Sequence, residues 1–119
     1  MSDTNTTCQW TGASGTPYTY YIYTLPQTFS KCDGNYIYAK HPPGPPGAGW
    51  LAVYIGEGDL EERCSEKHHQ ADCIAEKGAT HVHAHKNASE KSRKAEESDL
   101  LAGNPEAYEP TGCNVKEGG

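Results

Sequence analysis

The chain has few of the residues that build a large apolar core or a membrane span. Among its 119 residues there are one Phe, one Met and two Trp, and 34% of the residues are hydrophobic. A chain of this length supports one domain with a single core of its own. It contains no apolar run near the roughly 20 residues that a transmembrane helix needs, so we expect no membrane partner.

The N-terminus lacks the pattern of an export signal, because residues 1–10 contain no basic start followed by an apolar stretch. We therefore expect a cytoplasmic protein. Its five cysteines include no C-x-x-C pair, and reduced thiols are the default expectation in that compartment.

The chain also lacks an excess of positive charge. Its formal net charge is −6 at pH 7, which argues against strong, sequence-independent binding of polyanions. A small local nucleic-acid site is still compatible with this charge. The clearest basic cluster consists of Lys86, Lys91, Arg93 and Lys94. Its default interpretation is the solvated start of a helix.

Four segments have the composition of strands. Aromatic and β-branched residues predict strands at residues 18–25 and 34–40, and an apolar run predicts a third at 50–55. Alternation of side chains predicts a fourth at 79–86. The Pro- and Gly-rich residues 41–49 suit a connector, because proline lacks the N–H group that strands and helix interiors need.

Helices are predicted after the third and fourth strands. Following a break at residues 57–58, Asp59 can cap a helix over 60–69, and a second piece covers 71–77. The strongest helix, at 89–102, begins with a capping Ser and is rich in Ala, Lys and Glu.

The two ends of the chain have the composition of flexible tails. Residues 1–17 are rich in Thr, Ser and Gly, and residues 115–119 are rich in Gly, which leaves a domain at 18–114. The elements within that domain predict the α/β class, of the α+β type. We expect a small, mainly antiparallel central sheet flanked by helices.

Two short motifs lie in the predicted strands. They are Gly34-Asn35-Tyr36 and Tyr54-Ile55-Gly56. Together with Arg63, Glu97 and Asn114, which follow in order, they make residues 34–114 resemble the GIY-YIG nuclease superfamily. The chain departs from the family at Asn35, where an aliphatic residue is usual, which leaves the packing of that strand open.

The resemblance implies a metal-dependent endonuclease that hydrolyses DNA phosphodiester bonds. It implies a central sheet of about three strands, to which the strand at 18–25 would be an addition. Glu97 would be the ligand of one Mg²⁺ or Mn²⁺ ion, with water in the remaining positions. Arg63 would bind the phosphate through its planar guanidinium group.

The resemblance also implies the other catalytic roles. Tyr36 is assigned as the general base and Tyr54 as its orienting partner, although a free phenol titrates near roughly pH 10. Asn114 would fix a loop or a side chain in the site. The family often has a histidine one helical turn after its arginine. His68 and His69 lie closest to that place, and we assign the role to His68.

Each of these residues also has a simpler interpretation. Tyr36 and Tyr54 would pack in strands, where tyrosine is common. Arg63 would form weak surface ion pairs, and Glu97 would be a solvated helix residue with Arg93 four positions earlier. The order and spacing of all these residues together favour the nuclease.

DNA is the partner that the resemblance implies. Lys40 and Arg63, together with the basic cluster, are the expected contacts to its phosphate backbone. A double-strand break would need two active sites. The resemblance therefore implies a homodimer, successive nicking, or a partner that supplies sequence specificity.

Three histidines, His81, His83 and His85, share one face of the strand predicted at 79–86. Three imidazoles on one face suit Zn²⁺, and helical spacing also pairs Cys64 with His68 and His69 with Cys73. The spacings match no standard zinc module, so a structural zinc is the weaker interpretation. In the other interpretation the histidines line a polar surface beside the nuclease cleft.

Two functions from other classes therefore stay open beside the nuclease. One is a non-catalytic metal- or nucleic-acid-binding module on the same scaffold. The other is a structural role, in which cysteines and histidines hold a zinc ion that stabilises the fold.

Overall fold

The computed structural model of the protein describes residues 6–43, 49–65 and 68–115. In chain order its elements are β1 (Thr7–Thr11), β2 (Pro17–Thr24), β3 (Asp33–Lys40), β4 (Leu51–Asp59), α1 (Leu60–Arg63), α2 (Ala71–Glu76), β5 (His81–Lys86), α3 (Glu90–Gly103) and a 3₁₀ turn (Pro105–Ala107). None of the helices in these ranges is long and apolar enough to cross a membrane. The outer parts of the predicted tails and most of the predicted connector lie outside the described residues.

The five strands form one antiparallel sheet in the order β1-β2-β5-β3-β4. The predicted α+β class is confirmed, but the expected number of about three strands is too small. The strands predicted at 34–40, 50–55 and 79–86 are neighbours at one end of the sheet, where β4 is the edge strand. The strand predicted at 18–25 extends the sheet as β2, beside β5, and β1 continues it.

Strand β1 lies in a segment that the sequence predicts to be a flexible tail. Its residue Trp10 is buried, and the indole N–H donates a hydrogen bond of 2.9 Å to Nδ1 of His83 in β5. The turn before β2 is held by Asp99 of α3, which accepts hydrogen bonds from the backbone N–H and the hydroxyl of Ser14. The prediction is therefore wrong for residues 7–17, because their partners lie far along the chain.

Strand β4 is longer than the sequence predicts. It continues through the expected break, because Glu57 and Gly58 pair with Asn35 and Gly34 of β3. Gly58 has a φ of +134°, a conformation that residues with side chains rarely adopt. Glycine at this position therefore allows the edge strand to continue up to α1.

The helices begin where the sequence predicts but differ in length. Asp59 caps α1, and its carboxylate accepts a hydrogen bond of 3.1 Å from the backbone N–H of Glu61. α1 has only 4 residues instead of the predicted helix over 60–69, whereas α2 agrees with the helix predicted at 71–77. α3 follows the predicted cap Ser89, whose hydroxyl accepts a backbone hydrogen bond from the first helical turn.

The central sheet carries a core on each face. The α1–α2 face, named after the helices that cover it, buries Tyr36, Tyr38, Val53, Leu60, Cys64, Ile74, Val82, Ala84 and Cys113. The α3 face buries Trp10, Tyr20, Ile37, Ala39, Ala52, Ile55, Leu100 and Ala107. Burial of apolar surface on both faces is the main contribution to stability in a domain of this size.

Buried polar contacts fix α3 to its face of the sheet. Oε2 of Glu96 accepts hydrogen bonds from the hydroxyl of Tyr20 at 2.6 Å and from Nε2 of His85 at 2.7 Å. Asn35 is also buried, and its Nδ2 donates to the backbone carbonyl of Arg93 at 3.0 Å. A polar residue at this position packs well, because its amide is satisfied by the helix.

A disulfide bond joins Cys73 of α2 to Cys113, which follows the 3₁₀ turn. The expectation of reduced thiols is therefore wrong for this pair. Cys8, Cys32 and Cys64 are free. The pairing is not apparent in the sequence, because the two cysteines are separated by 40 positions and meet only after the chain has folded.

We expect Cys73→Ser to lower the free energy of unfolding by roughly 2–4 kcal/mol, because it opens a loop of 40 residues. Urea unfolding of the oxidised protein, followed by far-UV circular dichroism, measures the change. The control is Cys32→Ser, which removes a free thiol and should change stability by no more than about 0.5 kcal/mol. Equal unfolding midpoints for wild type with and without a reducing agent would contradict a stabilising disulfide.

Candidate active site at the edge of the sheet

The two predicted tyrosines meet at the edge of the sheet on the α1–α2 face. Tyr36 of β3 pairs with Gly56 of β4, and its ring lies directly over that glycine. A methyl group at position 56 would overlap the Tyr36 hydroxyl. The ring of Tyr54 is stacked beside that of Tyr36, with centroids 6.0 Å apart and planes inclined by 18°. Glycine is thus required at position 56 because the tyrosine ring occupies the space of its side chain.

A directed chain of hydrogen bonds runs through the site. The backbone N–H of Gln70 donates to Nδ1 of His68 at 2.9 Å, so that nitrogen carries no proton. Nε2 of His68 therefore bears the proton of the neutral ring and donates it to the Tyr36 hydroxyl, also at 2.9 Å. The Tyr36 hydroxyl also lies close enough to Tyr54 to lower the pKa of that phenol. The Gln70 N–H occupies the unprotonated nitrogen of His68 and Tyr36 faces the protonated one, so neither ring nitrogen is free to act as a base.

Burial shifts the pKa of each member of this chain towards its neutral form. It lowers the pKa of His68 to about 4, with smaller contributions from the positive charges of His69 and Arg63. It raises the pKa of both tyrosines. Arg63 opposes the rise at both phenols, and the hydrogen bond from Tyr36 opposes it at Tyr54 only. Tyr54 is also the more accessible of the two rings, since Tyr36 is fully buried.

Arg63 reaches the tyrosines from the last position of α1. Its side chain lies against Gly58, where an added Cβ would come within 3.0 Å of the arginine Nε. The residue is exposed. The glycine at position 58 therefore serves two purposes, since it takes the unusual backbone conformation and leaves room for the guanidinium arm.

Glu97 approaches the same edge from α3. It is half-buried, and its negative charge contributes to the raised pKa of Tyr54. Across residues 6–43, 49–65 and 68–115, no group of three or more His, Cys, Asp or Glu side chains is arranged to hold a metal ion. A single carboxylate still fits Mg²⁺, which keeps several water ligands and is often bound through one or two carboxylates. The residues present thus fit a hydrated Mg²⁺ or Mn²⁺ better than a protein cage.

Asn114 is buried against the outer side of β4. Its Oδ1 accepts from the backbone N–H of Ile55 at 2.8 Å, and its Nδ2 donates to the Ile55 carbonyl at 2.9 Å. The neighbouring N–H of Cys113 donates to the carbonyl of Val53, also at 2.8 Å. These bonds satisfy backbone groups that an edge strand would otherwise expose. Asn114 therefore fixes the backbone between Tyr54 and Gly56.

The three alternating histidines share the α3 face, as predicted, but they do not line a polar surface. His83 is completely buried beneath Trp10 and stands edge-on to Trp50, with ring centroids 4.5 Å apart. His85 is bound to Glu96, and His81 lies against Trp50. The predicted cleft surface is wrong because Trp10, Trp50 and Glu96 lie against the histidines on this face of β5.

The structure gives no support to a zinc site drawn from these residues. His69 is exposed and stacks on His68 with centroids 4.6 Å apart, and Cys73 is in the disulfide. Nε2 of His83 has no hydrogen-bond partner within the part of the chain that the structure describes. Its neighbour Trp50 occupies the space in front of the ring.

The expected DNA contacts separate into free and internally bound side chains. Arg93 is only 10% exposed and donates to Glu57 at 2.9 Å, so it braces α3 against β4 and is not available to phosphate. Lys94 is exposed but also pairs with Glu57, at 3.4 Å. Lys40 donates to a backbone carbonyl of α2's C-terminal cap. Lys86 and Lys91 are exposed.

Two features of the site have no signal in the sequence. The hydrogen bond from Gln70 that sets the protonation of His68 depends on the turn before α2. The Tyr20–Glu96–His85 contacts, which fix α3 next to Glu97, join three separate elements. In both cases the partners become neighbours only in the folded chain.

Comparison with known proteins gives no match for this chain. No family model, no curated protein and no solved structure matches it. The assignment of a function therefore depends on the arrangement of the chain's own residues.

We expect the stability of the protein to fall as the pH is lowered from about 6.5 towards 4. The pKa values of His68 and His83 are lowered from 6.5 to about 4, mainly by burial. Between these pH values His68 and His83 are protonated in the unfolded chain but stay neutral in the native state. Acid therefore favours unfolding. Urea midpoints measured between pH 4.5 and 7.5 give the slope.

The variant His83→Gln tests the origin of this slope. The glutamine oxygen can accept the Trp10 hydrogen bond but binds no proton, so the slope below pH 6.5 should become shallower. The control is His41→Gln, which removes an exposed histidine. An unchanged slope in His83→Gln would show that His83 is not a source of the acid sensitivity.

Proposed function

We propose that the protein is a metal-dependent endonuclease that hydrolyses DNA phosphodiester bonds. One observation carries the proposal. Three separate segments of the chain, which are β3, the contiguous β4 and α1, and α3, bring Tyr36, Tyr54, Arg63 and Glu97 to one edge of the sheet. Ordinary packing of strand tyrosines does not require an arginine whose charge acts on both rings or a glutamate whose charge acts on Tyr54.

Tyr54 is the better candidate for the general base, in place of Tyr36. A base must lose its own proton and then accept one from water. Tyr54 is half-buried whereas Tyr36 is fully buried, so water reaches Tyr54 more easily, and the interaction with Tyr36 lowers the pKa of Tyr54. Tyr36 and His68 are then positioning residues, which hold the Tyr54 ring in place.

Arg63 supplies positive charge at the reacting phosphate. It is exposed, and its planar guanidinium can donate two parallel hydrogen bonds to phosphate oxygens. Its charge also lowers the pKa of the nearby phenols, which favours the base form of Tyr54. Asn114 contributes indirectly, since it fixes the strand that carries Tyr54.

Glu97 is the residue that would hold the divalent cation. When bound there, Mg²⁺ or Mn²⁺ would polarise the phosphate and offset the carboxylate charge that raises the pKa of Tyr54. Glu97 fits this role because it is half-buried on α3 and its charge acts on Tyr54. A single such site cuts one strand at a time, so a double-strand break needs a homodimer or two successive events.

A non-catalytic metal- or nucleic-acid-binding module is the second candidate. One observation favours it: burial raises the pKa of both tyrosines, which makes it harder for either phenol to lose its proton and act as a base. Such a module would keep the same residues and bind DNA without cutting it. The assays below separate the two functions.

We expect the purified protein to nick supercoiled plasmid in Mg²⁺ or Mn²⁺ but not in chelator. Glu97→Gln and Arg63→Ala should each lower the nicking rate by at least about 100-fold, as loss of one transition-state contact commonly does. The matched control is Glu90→Gln, which neutralises an exposed glutamate at the start of α3 and should nick normally. Equal nicking by all four proteins would attribute the activity to a contaminant.

The pH dependence of the nicking rate in Tyr54→Phe and Tyr36→Phe distinguishes the roles of the two tyrosines. Tyr54→Phe should lower the nicking rate by roughly 100- to 10,000-fold at every pH, as expected for a lost general base. Tyr36→Phe removes a hydroxyl that lowers the pKa of Tyr54, so it should shift the rising limb of the profile to higher pH and keep measurable activity. Retained nicking in Tyr54→Phe, with loss in Tyr36→Phe, would reverse the assignment.

A further inference from the structure

The α1–α2 face extends past its two helices onto β2. Tyr21 and Tyr23 of β2 pair with Ala84 and Val82 of β5, so all four side chains share this face. Phe29, in the loop after β2, contacts Tyr23 edge to face with centroids 5.0 Å apart. We call Tyr21, Tyr23 and Phe29 the aromatic platform. It lies on the same sheet face as Tyr36 and Tyr54, on the side away from β4.

The platform borders a cavity of about 780 Å³, which is large enough for a nucleotide-sized ligand. Tyr21 is 43% exposed, one of two large hydrophobic residues that the described ranges leave exposed. An aromatic ring left exposed at the mouth of a cavity contributes less to stability than a buried ring, because burial would release ordered water.

The charge at this cavity is positive, in contrast to the acidic chain as a whole. Among the residues that line it, Lys86 is the one with a permanent charge, and no Asp or Glu is present. Lys86 is exposed, and no ion pair to it is found within the described residues. An aromatic surface beside a lysine suits a ligand with a flat π-face and an anionic group.

We propose that the aromatic platform binds an unpaired DNA strand, with one base stacked on Tyr21 and an adjacent phosphate at Lys86. Stacking is available only to a base that has left the duplex, since paired bases cover their own faces. The choice of DNA rests on the proposed nuclease function, and it narrows the substrate to DNA with a single-stranded segment beside the cleavage point.

The test is a binding assay in chelator, so that it does not depend on turnover. Fluorescence anisotropy compares a labelled 12-residue oligo(dT), an abasic strand with the same phosphates, and a duplex of the same length. Wild type should bind oligo(dT) about 5- to 150-fold more tightly than the abasic strand, the range that corresponds to one stacked base. It should also prefer oligo(dT) to the duplex.

The variants assign this preference to the platform. Tyr21→Ala should bind oligo(dT) and the abasic strand equally, and Tyr21→Phe should keep the preference because it keeps the ring. Lys86→Gln should weaken the binding of both strands and reduce the slope of log affinity against log salt concentration by about 0.7. The matched control Lys77→Gln changes a lysine at the end of α2 that does not line the cavity, and it should keep both the affinity for oligo(dT) and the salt slope.

The proposal that the platform stacks a base would be overturned by either of two results. One is equal binding of oligo(dT) and the abasic strand by wild type, and the other is an unchanged preference for oligo(dT) in Tyr21→Ala. These outcomes are separate from a failure of the nuclease. If the protein nicks plasmid but binds oligo(dT) and the abasic strand equally, only the proposed role of the platform is rejected. If it prefers oligo(dT) but does not nick, the role of the platform is supported and the non-catalytic module is favoured. Melting curves of Tyr21→Ala confirm that the variant is folded.

Discussion

The contact between Tyr36 and Gly56 is the constraint on which the candidate site depends. Because Gly56 has no side chain, the tyrosine ring crosses β4, and its hydroxyl can accept from His68 and lower the pKa of Tyr54. A larger residue at position 56 would displace the ring and disrupt both interactions. Asn114 holds the same strand from outside through two bonds to its backbone. The site is therefore built on a rigid edge strand.

Burial and charge have opposite effects on the two phenols. Burial raises the pKa of both, while Arg63 lowers it, and Tyr54 alone also gains a hydrogen bond from its neighbour. Glu97 adds negative charge, which keeps Tyr54 protonated until a cation compensates it. In the proposed nuclease this balance links the base to the metal, because the same carboxylate affects both. In the non-catalytic alternative the same balance leaves the site neutral and inactive.

One sheet thus serves three different purposes. Its edge at β4 carries the candidate site, and its α3 face encloses His83, whose pKa is lowered by burial. Its far side, on β2, presents the aromatic platform. The two added strands β1 and β2 explain the last two features, since β1 covers His83 and β2 carries Tyr21. A minimal sheet of three strands would have neither.

The sequence by itself determined the α+β class, the central strands that carry the Tyr36 and Tyr54 motifs, and the Asp59 and Ser89 caps. These follow from side-chain alternation, capping chemistry and motif order, which depend on near neighbours in the chain. Only the tertiary structure decided the burial of His83, the Cys73–Cys113 bond, the internal role of Arg93 and the direction of the hydrogen-bond chain. Each of these depends on partners that are distant in sequence, and local patterns carry no information about such partners.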